Sequence, residues 1–320
     1  MQIEPITGRL RKTAMYDELS RASLGITAVT FMLLLAFGCS IVAPLPVFAQ
    51  ENPREGWAVI MEMLDYPEGW TDLPTGNADS TKWTETLESL NWSADHISTI
   101  RDEITESSIL NAIEWLNEKS DENDVVLLFI FAHGAWLDNV IGDGSAMGDV
   151  WGQVPAEEKL MVFSSCHAGK FIEDIPSENP EVRMGSVGRD ELAWAGGIDE
   201  GLPILGDVFN HYFTSAFLNE TADTDENGDV SAEEAFTFAR PKTQDYIQNV
   251  VFPAFPEYEE LSNGSAPEPV MIDSFEGHLS LACPKAKSVS LVPYFVGAAG
   301  VGVAAVVIVI FHYYRTKKGG

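Results

Sequence analysis

Residues Val125–Ala132 (VVLLFIFA) carry no polar side chain, and His133-Gly134 follows at once. A short, unbroken apolar run of this kind is what a strand needs when both faces of its sheet are covered. A second run, Leu160–Phe163 (LMVF), leads into Ser164-Ser165-Cys166-His167-Ala168-Gly169. Trp57–Leu64 (WAVIMEML) reads as a third buried strand and Val182–Val187 as a fourth. Helical patterns fall between and after them. Asp79–Leu90 places Trp83, Leu87 and Leu90 on one face, and Thr105 can cap a helix running to Lys119 with Ile109, Ile113 and Leu116 aligned. Leu205, Phe209, Phe213 and Phe217 recur every fourth residue, which predicts a long helix with an aromatic face. Strands alternating with helices imply a mainly parallel α/β sheet.

Charge and cysteine usage narrow the class. The chain has 320 residues and a formal net charge of -30. Of its 49 acidic residues only three precede residue 50 and none follows residue 288, so the middle segment is strongly anionic. It should repel phosphate backbones, which argues against nucleic acid as a partner. Three cysteines, Cys39, Cys166 and Cys283, are too few for a disulfide scaffold, although Cys166 and Cys283 could form one bridge.

The two ends predict membrane targeting. Arg9, Arg11, Lys12 and Arg21 precede an apolar run from Leu24 to Val42, and Val47 and Ala49 fit the small-residue positions before a signal-peptidase cut. Residues 1–49 are therefore expected to be a signal peptide, or failing cleavage an N-terminal anchor. Residues 289–312 are almost wholly apolar, long enough to cross a hydrocarbon core of ~30 Å. Arg315, Lys317 and Lys318 follow, in the pattern of a cytoplasmic side. The expected organisation is a single-pass membrane protein at the cell membrane, with an extracytoplasmic domain over 50–288, a transmembrane helix over 289–312 and a cytoplasmic tail over 313–320. The outer domain holds three N-x-S/T sequons, at Asn91, Asn219 and Asn263.

The chemistry is expected where two apolar strands end. Ligands of open α/β sheets bind beyond the carboxyl ends of the strands. If the 125–132 and 160–163 strands are neighbours, His133 and Cys166 face each other across that rim. A thiol needs a base nearby to become a thiolate near neutral pH, and an imidazole can later protonate a leaving amine. Gly134 lets the backbone approach a substrate carbonyl, so its N–H and that of Cys166 are candidates for an oxyanion hole. His167 should point away from the thiol on a locally extended chain and reads as structural.

FAHG (131–134) followed by SSCHAG (164–169) resembles the paired signature of the caspase-like cysteine peptidases, clan CD, which include caspases, metacaspases and legumains. WAVIMEMLDY (57–66), GNADSTKWTETLESL (76–90) and GSVGRDELAW (185–194) resemble that domain's first strand, the helix after it, and the segment that lines the substrate cleft. The resemblance spans residues 56–280 and implies a caspase-like three-layer α/β sandwich. It implies a cysteine endopeptidase acting through a thioester, with His133 as general base and acid, Cys166 as nucleophile, and Gly134 with the Cys166 N–H as oxyanion hole. Substrate contacts are expected at Ser164, Glu191 and Trp194. Many family members carry an acid or amide where Ser164 stands, so a cleavage-site preference does not carry over; Asp65, Asp190 and Glu191 are nearby acids that could receive a cationic residue.

Residues 223–234 (DTDENGDVSAEE) match a calcium-loop pattern, with Asp223, Asp225, Asn227, Asp229, Ser231 and Glu234 at ligand offsets and Gly228 at the sharp turn. The expectation is an EF-hand-like loop holding Ca²⁺ as a structural staple, with a helix over Glu233–Ala239 after it and no organic cofactor. The expected partner is a protein or peptide substrate. Alternative readings are a transpeptidase or transamidase of the same fold and a catalytically silent, calcium-binding surface module. Oligomeric state is open.

Overall fold

The computed structural model describes residues 52–285. The chain divides into two units after Asn52, and every element below lies in the second. Its centre is a six-stranded sheet ordered β2-β1-β3-β4-β5-β8. The strands are β1 (Gly56–Glu62), β2 (Ile97–Arg101), β3 (Val125–Phe131), β4 (Glu158–Ser164), β5 (Val182–Gly185) and β8 (Val270–Asp273). All neighbours run parallel except β8, which pairs antiparallel with β5 at the edge. Two-residue strands β6 (Ala195–Gly196) and β7 (Gly206–Asp207) form a separate antiparallel pair.

The pleat of β3 explains its unbroken apolar sequence. Val125, Leu127, Phe129 and Phe131 enter one core, while Val126, Leu128 and Ile130 enter the other. A strand with helices on both faces needs an apolar residue at every position. On the first face Phe129 meets Trp83 of α1 (Ala78–Ser89), and Trp83 meets Phe213 of α6 (Val208–Ala216). On the second face lie α2 (Glu106–Lys119), α4 (Ser145–Trp151) and α5 (Ala168–Asp174). The result is the expected α/β sandwich of three layers.

Local signals account for the helix ends. Thr105 caps α2, its hydroxyl accepting the Ser108 N–H at 3.1 Å while Ser108 Oγ accepts the Thr105 N–H at 2.9 Å. The helix expected from Leu205 starts three residues later: Gly206 has a φ of 80° and Asp207 caps α6 through the Asn210 N–H. The helix expected over Glu233–Ala239 runs on as α7 (Ala232–Tyr246), through Pro241 and into a π-turn at Ile247–Val251.

Several expectations are corrected. Among the described residues no helix is long and apolar enough to cross a membrane. The described residues show the sandwich without a transmembrane helix, and single-pass topology, membrane partnership and placement at the cell membrane find no structural support among them. The runs behind those readings, residues 1–49, 289–312 and 313–320, lie outside the described residues. The EF-hand is also corrected. Its architecture needs a helix leading directly into the first ligand position, but α6 ends at Ala216 and irregular chain separates it from Asp223.

Because Phe129 is fully buried against Trp83 in the most central strand, Phe129→Ala should lower unfolding free energy by roughly 3–5 kcal/mol. Urea titration followed by tryptophan fluorescence checks this; a loss below about 1 kcal/mol would contradict the packing described.

Candidate active site

The pairing of β3 with β4 sets Phe131 opposite Ser164. His133 and Cys166 each stand two residues beyond that last pair, so parallel neighbours deliver both to the same rim of the sheet. The contact is close: a Cβ built on Gly134 would lie 2.1 Å from the Cys166 carbonyl oxygen and 3.2 Å from its Cβ. Only glycine allows this approach. Among the described residues neither the Gly134 N–H nor the Cys166 N–H bonds a backbone carbonyl outside the regular elements.

His133 precedes the first turn of α3 (Gly134–Ile141) and is held from three sides. Its backbone N–H donates to the Tyr66 hydroxyl at 2.7 Å. Its ring packs against Tyr66 with centroids 4.8 Å apart. Its Nε2 lies 2.8 Å from the Thr71 carbonyl oxygen. A carbonyl only accepts, so Nε2 carries a proton, and in the neutral imidazole Nδ1 is the basic atom. Thr71 thus fixes the tautomer, a role the sequence did not announce because it rests on a backbone oxygen.

Cys166 is half-buried and free, as is the buried Cys283, which removes the disulfide between them. Burial pushes the Cys166 thiol above its ordinary value; a backbone hydrogen bond from Ala193 opposes this, and the nearby Asp207 charge adds to it. The Sγ–Ala193 oxygen contact is 4.0 Å. His167 is not on the extended chain expected: it adopts a left-handed φ of 60° before α5, with its N–H on the Glu191 carbonyl at 2.8 Å.

The other expected contacts divide. Ser164 is fully buried directly below the nucleophile. Glu191 turns its carboxylate to the N–H groups of Gly188 and Glu268, both at 2.8 Å, so it fastens loops. Trp194 packs on Phe255 and Tyr258, with centroids 4.5 and 4.9 Å away, and holds the Leu192–Ala195 segment beside the thiol. Asp65 and Asp190 are exposed.

The buried acids at the site are Asp207 and Asp79. In the β6–β7 pair Asp207 lies opposite Ala195, two residues from the carbonyl that touches Sγ. Burial pushes its carboxyl up to about 6, against the opposing Asn210 N–H and the hydroxyls of Ser164 and Ser186. The Ser164 hydroxyl influences Asp207 without completing a hydrogen bond, for its Oγ has no partner. Asp79 accepts the Asp207 N–H and the Asn210 side-chain amide, the latter at 2.6 Å. Burial first, and then the charge of Asp207, raises Asp79 well above the usual carboxylate range. No ion pair to lysine or arginine reaches either acid among the described residues. The sequence hid Asp207 inside the helix expected from Leu205, although an aspartate before an apolar helical run is itself an N-cap signal.

In the 223–234 loop, Asp223, Asp225 and Glu234 bring one carboxylate oxygen each within 4.8 Å of one another, an arrangement that can hold a divalent cation. The other expected ligands, Asn227, Asp229 and Ser231, take part in hydrogen bonds within the loop and its cap. Asn227 donates to Asp225, the Asp229 N–H donates to Asn227, and Ser231 caps α7. Burial would raise the Glu234 carboxyl, but hydrogen bonds from Ser231, Thr224 and Asp225 bring it down to about 2, so it stays ionised.

Gly134→Ala should push the His133 turn off the Cys166 carbonyl. The expected outcome is a loss of roughly 1–3 kcal/mol in denaturant unfolding, together with an altered rate of Cys166 alkylation; an unchanged protein by both measures would contradict the contact.

Comparison with known proteins agrees with this geometry. Residues 55–170 match the family model of the caspase domain, peptidase family C14. The crystal structure of caspase-1 from Spodoptera frugiperda superposes with a TM-score of 0.53 at 13% identity, covering 74% of this chain and 92% of that one. No curated protein sequence matches. Nothing in these matches singles out legumains or metacaspases, which corrects the narrower resemblance drawn from the motifs, and nothing in them supports membrane anchoring. Residues 55–170 thus resemble the caspase domain, and the described residues share the caspase fold at a large distance in sequence.

Proposed function

We propose that the protein is a cysteine endopeptidase that cleaves after a basic residue. The observation that carries the reading is the meeting of His133-Gly134 and Cys166 at neighbouring parallel strand ends, with Gly134 against the Cys166 carbonyl. His133 Nδ1 takes the thiol proton as Sγ attacks the scissile carbonyl carbon. The resulting oxyanion accepts from the Gly134 and Cys166 N–H groups. On collapse the C–N bond breaks, His133 gives its proton to the departing amine, and the acyl group remains as a thioester on Cys166. Water then attacks the thioester with His133 as base, releasing the acid and restoring the thiol.

The preference for lysine or arginine on the acyl side rests on Asp207 and Asp79. Two buried carboxylates without a buried cation are costly. Beside them the Ser164 hydroxyl and the Asn210 side-chain oxygen are buried and unpartnered. An ammonium or guanidinium supplies the positive charge that the two acids lack and donors for the Ser164 and Asn210 oxygens. Since a cation prefers an ionised Asp207 and this carboxyl is pushed up to about 6, cleavage after basic residues should strengthen as pH rises through that value and weaken below it.

Quenched peptides differing only in this residue test the reading. Wild type should favour Lys and Arg over Asp, Asn and Ala. Cys166→Ala and His133→Ala should each lose at least about a thousandfold in kcat/KM. Asp207→Asn should lose at least about tenfold on basic substrates and flatten the pH profile. Preference for Asp, or no cleavage by wild type, would contradict the reading.

The Asp223, Asp225 and Glu234 carboxylates favour a second property, binding of a hard divalent cation at the loop between α6 and α7. Thermal unfolding with Ca²⁺ or Mg²⁺ should show a rise in Tm that Glu234→Gln abolishes. Saturation a hundredfold above Kd corresponds to about 2.7 kcal/mol; a Tm indifferent to both ions would exclude the site.

A further inference from the structure

An aromatic box stands on the far side of His133 from the thiol. The loop between β1 and α1 brings Tyr66 and Trp70 over the imidazole, with Trp70 and His133 centroids 6.3 Å apart at 30°. Tyr66 and Trp70 lie nearly parallel at 6.1 Å, and Trp136, in the first turn of α3, meets both edge-on at 5.5 and 5.2 Å. Trp136 is fixed by donating its indole N–H to the Ile104 carbonyl at 2.8 Å, and Tyr66 by the His133 N–H. Trp70 is 36% exposed, the one large aromatic side chain among the exposed apolar residues described. An indole left open beside a reactive imidazole is an apolar surface without a partner.

The rim of the box is acidic. Residues 64–76 contain Asp65, Glu68 and Asp72 and no lysine or arginine. All three acids are exposed, and Asp72 accepts the Tyr66 N–H at 2.8 Å, which places that carboxylate at the box itself. Asp102 accepts the N–H groups of Leu64 and Asp65 and adds a further charge close to Tyr66. An aromatic face bordered by carboxylates suits a planar cation, which stacks on the indole while pairing with the rim.

Position gives the box its place on the substrate. It is built on the β1 and β3 side of the rim, whereas the thiol and the Ala193 carbonyl lie on the β4 and β5 side. The imidazole between them is the group that protonates the leaving amine, so the peptide on the box side is the departing one. We propose that Tyr66, Trp70 and Trp136 form a subsite for an arginine or lysine side chain on the leaving side of the scissile bond. This rests on the peptidase reading, and it extends cationic preference to both sides of the cut.

The test uses the full chain and internally quenched peptides with a fixed basic acyl-side residue. The first two leaving-side positions carry Arg, Ala or Glu, and a parallel substrate releases an aminocoumarin, which has no leaving-side residue. Wild type should cleave the Arg peptide at least about tenfold faster in kcat/KM than the Glu peptide. Trp70→Ala should reduce that ratio to within about threefold, and Trp70→Phe should keep part of it. The ratio is internal to each variant, so a change in absolute rate or folded fraction does not imitate the effect. Turnover of the aminocoumarin with a flat peptide ratio in wild type, or a ratio unmoved by Trp70→Ala, would overturn the subsite alone. No turnover of either substrate would overturn the peptidase reading and the subsite with it.

Discussion

Everything at the site depends on the register of one strand pair. Phe131 stands opposite Ser164 in a parallel ladder whose two strands are buried on both faces. A shift of one residue would carry Phe129 and Leu128 into the wrong cores and part Gly134 from the Cys166 carbonyl. The apolar continuity of VVLLFIFA therefore sets more than stability: it fixes where His133 stands relative to the nucleophile. The glycine after the histidine belongs to the same constraint, because no side chain fits between these two strand ends.

The central strands and their terminal residues were legible in the sequence because a doubly covered strand has to be apolar at every position, and that pattern survives without knowledge of partners. Helix α2 was legible from its cap and spacing. What escaped were features whose signal is tertiary. β2 and β8 lie toward the sheet's edges, only partly buried, so their alternation is weak. Asp207 was masked because Leu205 extended the aromatic repeat backward across Gly206, whose positive φ ends that periodicity. Thr71 acts through a carbonyl that every residue possesses. The calcium-loop pattern matched in spacing, yet no helix leads into its first position.

Electrostatics give the site its character. The chain is strongly anionic, and buried near the nucleophile are two more carboxylates with no cation of their own. Asp207 makes the thiol harder to ionise, so a substrate that neutralises this acid also eases formation of the thiolate. Under the proposed reading, recognition and activation would be coupled through one buried charge. In the proposed reading the negative charge for a basic residue comes from α1 and the β6–β7 pair rather than from the position of Ser164.

The central claim is that Cys166 is a nucleophile directed at substrates with a basic acyl-side residue. The most direct measurement is covalent capture: the protein is treated with peptidyl acyloxymethyl ketones ending in Lys, Arg or Asp, and the adduct is mapped by mass spectrometry of its peptides. The account predicts one adduct, on Cys166, formed much faster with the Lys and Arg reagents and slowed by His133→Ala. Modification of Cys283 instead, equal rates for all three reagents, or a Cys166 inert to each of them would contradict it.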